Sequence, residues 1–217
     1  MGTRATLLLA LLGAEVIKVE SIQRPDHTRL RTLVSGPTAG NLDNSAPFND
    51  MNLNKLSVSL NLTKPKAIDI AKRLVKIADV VTQNMRPGVI ERLGLGYDVL
   101  KEIKPDIIML SSSAVGATGP ERTYVGYAPT FSAISGLAYG SGYPDDKPST
   151  LSGAIDTRVA TTSAFAILAA LNYRRRTGRG QNIDLSSSEA IANLAGEMHM
   201  DYSMNRRITE RVGNRDQ

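Results

Sequence analysis

The chain reads as an α/β protein built on a mainly parallel, Rossmann-like sheet flanked by helices. Three observations predict this. Short apolar and β-branched runs, such as Glu15–Glu20 and Asp106–Ser112, alternate with longer segments of helical period. Glycine, proline and asparagine punctuate the junctions between them. Strand–helix alternation of this kind buries a parallel sheet between helices.

The elements follow in order. Gly2–Gly13 is a short helix that Gly13 stops, and Glu15–Glu20 is a strand. Residues 21–52 carry Pro, Gly, Asn and Asp without sustained period and read as a long loop, a length usually tied to function or disorder. Ser57–Asn61 is a strand. Pro65 then opens a helix with Ala67, Ile70, Ala71, Leu74 and Ala78 on one face and Lys66, Asp69, Lys72, Arg73 and Lys76 on the other. Asp79–Gln83 is a strand, followed by short helices at Val89–Leu93 and Tyr97–Ile103 and the strand Asp106–Ser112. Ser113–Gly126 is a loop, Pro129–Ala138 a helix and Tyr139–Leu151 a second loop. Thr157–Tyr173 is a helix apolar on every side, Gln181–Ser186 a strand and Ser188–Met204 a last helix.

Composition narrows the function classes. The 217 residues can bury a sizeable core, and 41% apolar with 22% charged residues is a soluble globular balance. No cysteine is present, so disulfides, thiolate nucleophiles and cysteine metal sites are excluded. Trp is absent and aromatics are few, which leaves little to stack on nucleic acid. The net charge of +5 suits polyanionic ligands, although charge alone slightly favours a merely basic surface. The run Leu7–Leu12 is too short to span a bilayer, and no other segment reads as spanning. A cytoplasmic location, with neither nucleic acid nor membrane as partner, is the expectation.

Candidate chemistry concentrates at a few positions. Asp156 stands at the mouth of the apolar helix. There it acts as an N-cap for backbone N–H groups, or as an ionised carboxylate able to attack an acyl carbon, and the two readings are compatible. Asn84-Met85-Arg86-Pro87-Gly88 follows a strand end, where open parallel sheets bind ligands. Asn84 can hydrogen-bond a ligand amide and Arg92 can reach a phosphate, against the plainer reading of a solvated, capped turn. Arg174, Arg175, Arg176 and Arg179 suit a helix C-terminus that Gly178 closes. Gly94-Leu95-Gly96 lacks the third glycine of a dinucleotide fingerprint, and Gly116-Ala117-Thr118-Gly119-Pro120 lacks the lysine of a phosphate loop. His27 and His199 form no HExxH pair and no nucleophile elbow appears, so neither metal catalysis nor a serine triad is expected.

Taken in order, these segments resemble the family III CoA-transferases, the group that includes formyl-CoA and carnitine CoA-transferases. The matching stretches are Leu12–Glu20, Asp26–Arg29, Asn52–Lys55, Ala78–Val81, Asn84–Gly88, Arg92–Gly94, Gly116–Pro120, Ile167–Leu171 and Thr177–Gln181. The resemblance implies the large-domain part of that fold. It implies a single, incomplete α/β domain over residues 1–217, truncated at both ends, without the family's first strand and C-terminal portion. It further implies Asp156 as the nucleophile that is acylated and then carries CoA. Arg29, Asn84, Met85 and Arg92 fall on positions that contact coenzyme A. Acyl-CoA is then the substrate together with a carboxylic acid acceptor, with no metal, and the assembly is an interlocked homodimer.

The pattern also departs from the family. Leu56 stands where the family has arginine, Ala160 where it has glycine, and Gly2-Thr3-Arg4 where it has Gly-Pro-Tyr. An α-methylacyl-CoA racemase shares the fold but needs a histidine base in the run that here reads Tyr127-Ala128-Pro129-Thr130-Phe131. A non-catalytic acyl-CoA-binding subunit is the other alternative. Tyr124, Tyr127, Phe131 and Tyr139 serve either an aromatic-friendly pocket or the core.

Overall fold

A computed structural model describes residues 2–30 and 41–215 of the chain. Helix α1 (Gly2–Leu11) leads into strand β1 (Val16–Glu20), and strand β2 (Lys55–Ser59) pairs with β1 in parallel, Val16 opposite Lys55. Gly13, at φ 99°, turns the chain out of α1, a conformation open to glycine and costly for other residues. A second sheet has the order β3–β4–β5, formed by Val80–Gln83, Ile108–Ser113 and Asn182–Ser186, all parallel. The described residues therefore form two parallel sheets of two and three strands rather than one continuous sheet.

Between β1 and β2 the chain is more ordered than a loop. Helix α2 (His27–Leu30), a 3-10 turn at Leu42–Asn44 and helix α3 (Ala46–Met51) lie inside the expected loop of residues 21–52, whose residues 31–40 are outside the described part. Ser45 caps α3, its hydroxyl accepting from the Phe48 N–H, and also donates to the Thr28 carbonyl at 2.6 Å. These elements are too short to show a period, so capping and tertiary packing define them.

Helix α4 (Pro65–Ile77) has proline at its first position and buries Ala67, Ala71 and Val75. Helices α5 (Val89–Arg92) and α6 (Tyr97–Ile103) follow β3, and α7 (Ala128–Ile134) follows the loop after β4. Helix α8 (Ser152–Thr177) is 26 residues long, and α9 (Ser187–Ala192) and α10 (Gly196–Asn205) are separated by a 3-10 turn at Asn193–Ala195. The expected continuous last helix is thus broken near Asn193, with Gly196 opening its second half.

Strand β4 is central to its sheet and buried on both faces, which explains its near-continuous apolar sequence. Ile107 and Met109 join Leu100, Leu95, Ile90 and Val75 on one side, and Leu110 meets Phe131, Ile155, Val159, Ile167 and Ile191 on the other. Helix α8 buries Ile155, Val159, Ala160, Ile167 and Ala170, while Phe165 and Leu168 face outward. Residues Gly153–Thr177 are long and apolar enough to cross a membrane by length and composition alone. No segment was expected to approach that length, because the helix read from sequence was shorter at both ends. Its inward-facing residues Ile155, Val159 and Ile167 pack in the core with Leu110, Phe131 and Ile191.

The C-terminus of α8 closes as the sequence predicts. Gly178 is left-handed at φ 72°, and its N–H reaches the Arg174 carbonyl at 2.7 Å. Arg174 also pairs with Asp79 at 2.7 Å, fastening the helix end to the start of β3.

Candidate active site

Asp156 sits inside helix α8 as its fifth residue, not at its mouth. The N-cap position belongs to Leu151, left-handed at φ 47°, which supplies no side-chain cap. The capping role expected for Asp156 is therefore overturned: the helix begins one turn earlier than the apolar period indicates. The carboxylate is left free of that task. It is half-buried, and among the described residues it has no hydrogen-bond or ion-pair partner. Helical Cα–Cβ bonds tilt toward the N-terminus, which directs Asp156 over the turn containing Gly153, three residues earlier. A Cβ at Gly153 would meet nothing within 4 Å, so the space above that turn is open.

Asn84 and Met85 lie on the turn that follows β3, and Arg92 ends the short helix α5 that the turn leads into. Gln83 folds its Oε1 onto the Met85 N–H at 2.6 Å, tightening the strand exit. Asn84 is exposed and Met85 half-buried. Gly88, at φ 82°, lets the exposed Arg92 fold back over the turn, its Nη1 3.1 Å from where a Cβ would stand. These residues occupy a strand's carboxyl end, the place where parallel sheets receive ligands.

Arg29 stands apart from that turn. Its Nε donates to Glu20 at 2.7 Å and its Nη1 to Asp43 at 2.9 Å, while its guanidinium lies 3.5 Å from the centroid of the Phe48 ring. Only 15% of the side chain is exposed. Two carboxylates and an aromatic face hold it, so in this structure it fastens α2 and α3 to β1.

Asp26 belongs to the same network. Burial raises its pKa, but the hydrogen bonds from Lys18 and from the Thr28 backbone and hydroxyl outweigh that and lower it to about 2 from the ordinary 3.8. The Lys18–Asp26 contact is 2.7 Å, with both side chains largely buried. A carboxylate depressed in this way contributes stability above its unfolded pKa and loses it as pH falls through the folded value. Asp26→Asn is expected to lower stability by about 2 kcal/mol at pH 7. The difference between variant and wild type should shrink between pH 4 and pH 2. Urea unfolding across that range checks both statements.

Nearby, Lys55 donates to the Thr3 and Met51 carbonyls at 2.7 Å and to Asn52 Oδ1 at 3.2 Å. Burial, reinforced by the charge of Lys18 and opposed by Asp26, draws its pKa down to about 8. Sequence reasoning placed this lysine in a motif without assigning it a partner. Its acceptors are backbone carbonyls from α1 and α3, which only the folded chain brings together.

A cavity of about 410 Å³ opens beside the loop after β4 and the carboxyl end of β5, and a second, smaller one lies over β3, β4 and β5. Met85 lines the smaller one, and Asp184, which lines both, accepts from the Ala117 N–H at 2.8 Å. Among the described residues, the ionisable side chains lining the two cavities are Glu91, Glu121, Asp184, Glu189 and Tyr97, without lysine or arginine. Such an acidic lining disfavours phosphate groups. Asp156 lines neither cavity.

The remaining expected residues are placed as follows. His27 is exposed, its ring centroid 6.4 Å from that of Tyr127. Phe131 is core, whereas Tyr124, Tyr127 and Tyr139 are exposed. Among the described residues no cluster of His, Asp and Glu is arranged to hold a metal ion.

The family described as CoA-transferase family III matches this chain over residues 1–217. The chain belongs to CoA-transferase family III. An acyl-CoA transferase of Fusarium pseudograminearum is 40% identical over 198 residues, covering 89% of this chain and 43% of that protein. The beta subunit of a succinyl-CoA–L-malate CoA-transferase from Chloroflexus aurantiacus is 36% identical, over 95% of this chain and 50% of its own length. An acetyl-CoA:oxalate CoA-transferase of Acetobacter aceti is also 36% identical, over 99% of this chain and 54% of its own. Among solved structures, a CAIB/BAIF family protein from Brucella suis superposes with a TM-score of 0.89 at 31% identity, covering 98% of this chain and 56% of that one. The chain spans about half the length of these relatives.

Proposed function

We propose that the chain carries the nucleophile and part of the CoA-contacting surface of a CoA-transferase, moving CoA between an acyl-CoA thioester and a free carboxylic acid. The observation that carries this reading is the Asp156 carboxylate: half-buried, without a protein partner among the described residues, and directed over an open glycine turn. Asn84, on the turn after β3, and Arg92, at the end of α5, supply an amide and a guanidinium, groups that match the polar arm and the phosphates of CoA. Arg29 orders the α2–α3 segment in this structure, and contact with CoA would require it to reach past Glu20 and Asp43.

The reaction runs in balanced steps. An Asp156 oxygen attacks the thioester carbonyl of the donor, and the C–S bond breaks to give an aspartyl anhydride and CoA thiolate. The thiolate attacks the aspartyl carbonyl, releasing the donor acid and leaving an aspartyl-CoA thioester. An acceptor carboxylate then attacks that thioester and the two exchanges run in reverse. Each step trades one acyl bond for another, so no oxidant, reductant or net proton is needed. Backbone N–H groups left unbonded at the start of α8 can stabilise the oxyanions.

Two of the relatives described above are named for the di-acids malate and oxalate, and a dicarboxylic acid is the first acceptor to try. The homodimeric assembly implied by the resemblance is tested by analytical ultracentrifugation. Incubation with an acyl-CoA followed by intact and peptide mass spectrometry tests the chemistry. An acyl or CoA mass on the peptide containing Asp156 is expected. Adducts confined to other peptides would refute the role of this carboxylate.

A further inference from the structure

Three consecutive residues in the first turn of α1 touch three separate segments. A Cβ at Gly2 would stand 3.6 Å from Asn84 Cγ. The Thr3 carbonyl accepts from Lys55 at 2.7 Å. Arg4 Nη1 donates at 3.1 Å to Thr157 Oγ1, on the residue that follows Asp156. The first turn of α1 therefore packs beside both Asn84 and Thr157, the neighbour of Asp156 in α8.

The turn Asn52–Lys55 holds that helix at both ends. Asn54, left-handed at φ 61°, donates its Nδ2 to the Ala10 carbonyl at 2.9 Å, in the last turn of α1. Lys55 grips the Thr3 carbonyl in the first turn. Seven residues separate these two carbonyls, about 10 Å along a helix axis. Two grips so far apart fix the tilt of the helix as well as its position. Asn52 completes the turn, donating to the Phe48 carbonyl at 2.7 Å and accepting from Lys55. An ammonium has three protons, and Thr3, Met51 and Asn52 accept all three, which leaves none for a phosphate.

We propose that Asn54 and Lys55 form a two-point clamp on α1 that sets the spacing between Asn84 and Asp156, with Lys55 a positioning residue and not an anion contact. The functional part of this inference rests on the reading of Asn84 and Asp156 given above; the clamp itself does not.

The test is hydrogen exchange by mass spectrometry on the wild-type chain and three variants. In Lys55→Met, amides of residues 6–12 and of residues 157–163 are expected to exchange about tenfold faster, with β3–β5 protected as in the wild type. Asn54→Gly keeps the left-handed backbone and removes only the donor, and it should loosen residues 8–12 in the same way. Lys55→Arg, which retains charge and donors, should return protection to within about twofold of wild type. Unchanged protection in both Lys55→Met and Asn54→Gly overturns the clamp. So does loss spread evenly over every segment, which would make the two side chains general supports of the fold. Calorimetric titration with CoA and with dephospho-CoA forms the second arm. The clamp predicts that Lys55→Met weakens both ligands by the same factor, whereas a penalty seen only with CoA would make Lys55 a 3′-phosphate contact. A wild-type chain that binds neither ligand would count against the site reading and leave the exchange result to decide the clamp.

Discussion

Asp156→Ala is expected to abolish acyl transfer. Loss of a covalent nucleophile typically costs a factor of about 10³ to 10⁶ in turnover. Asp156→Asn is the more telling variant. Its amide keeps the shape of the carboxylate but lacks the charge and the nucleophilic oxygen, so transfer should fall nearly as far while the fold is retained. Stability should change little in either variant, because the carboxylate makes no hydrogen bond or ion pair among the described residues and is not the cap of α8. That pairing of results separates this role from an N-cap, whose removal would cost about 1 kcal/mol of stability. Turnover of acyl-CoA with a di-acid acceptor, read beside thermal unfolding, checks both. Normal turnover in Asp156→Asn would refute the mechanism.

Gly180→Ala is expected to destabilise the chain by about 3 kcal/mol. A Cβ at Gly180 would fall on the Ile107 carbonyl oxygen and lie 2.6 Å from the Asp106 carbonyl carbon. Both are backbone atoms that lead into β4, the strand buried on both faces, and neither can swing aside as a side-chain tip would. Relief requires β5 to separate from β4 at the point where the Met109 N–H reaches the Gln181 carbonyl. In a chain of this size, 3 kcal/mol corresponds to a fall in Tm of about 6–12 °C. Gly178→Ala, two residues earlier, serves as the control. Nothing lies within 4 Å of a Cβ there, so only its left-handed backbone is strained, at about 1 kcal/mol. Equal Tm values for Gly180→Ala and the wild type would show that the two segments are not in backbone contact.

The motif Thr177–Gln181 illustrates how far sequence reasoning reached. Gly178 was legible as a helix stop because a helical period ends there beside a cluster of arginines. Gly180 carried no such signal, since its constraint comes from residues 106 and 107, which only β4–β5 pairing brings near. Asp156 shows the same division. Its residue type and its place beside an apolar helix left an N-cap and an acyl nucleophile both open, and the family resemblance pointed to the second. Its position relative to the helix start was misjudged because Ser152–Ile155 extends the helix without extending the strongly apolar period. Asn84 and Arg92 stood out locally, lying within nine residues after a strand, and Met85 joined them by resemblance. Arg29 was placed with them by resemblance, and its partners Glu20, Asp43 and Phe48 are separated from it by stretches that period and propensity do not join.

The amino-acid sequence alone determined the α/β alternation, the helix stops and, with no cysteine in the chain, the exclusion of a thiol nucleophile, because these depend on residue type and local spacing. Tertiary structure decided the division into two sheets, the freedom of the Asp156 carboxylate and the gripping of α1 by Asn54 and Lys55. Those depend on contacts between residues distant along the chain, where hydrogen-bond geometry and close packing choose among partners that local propensity leaves equivalent.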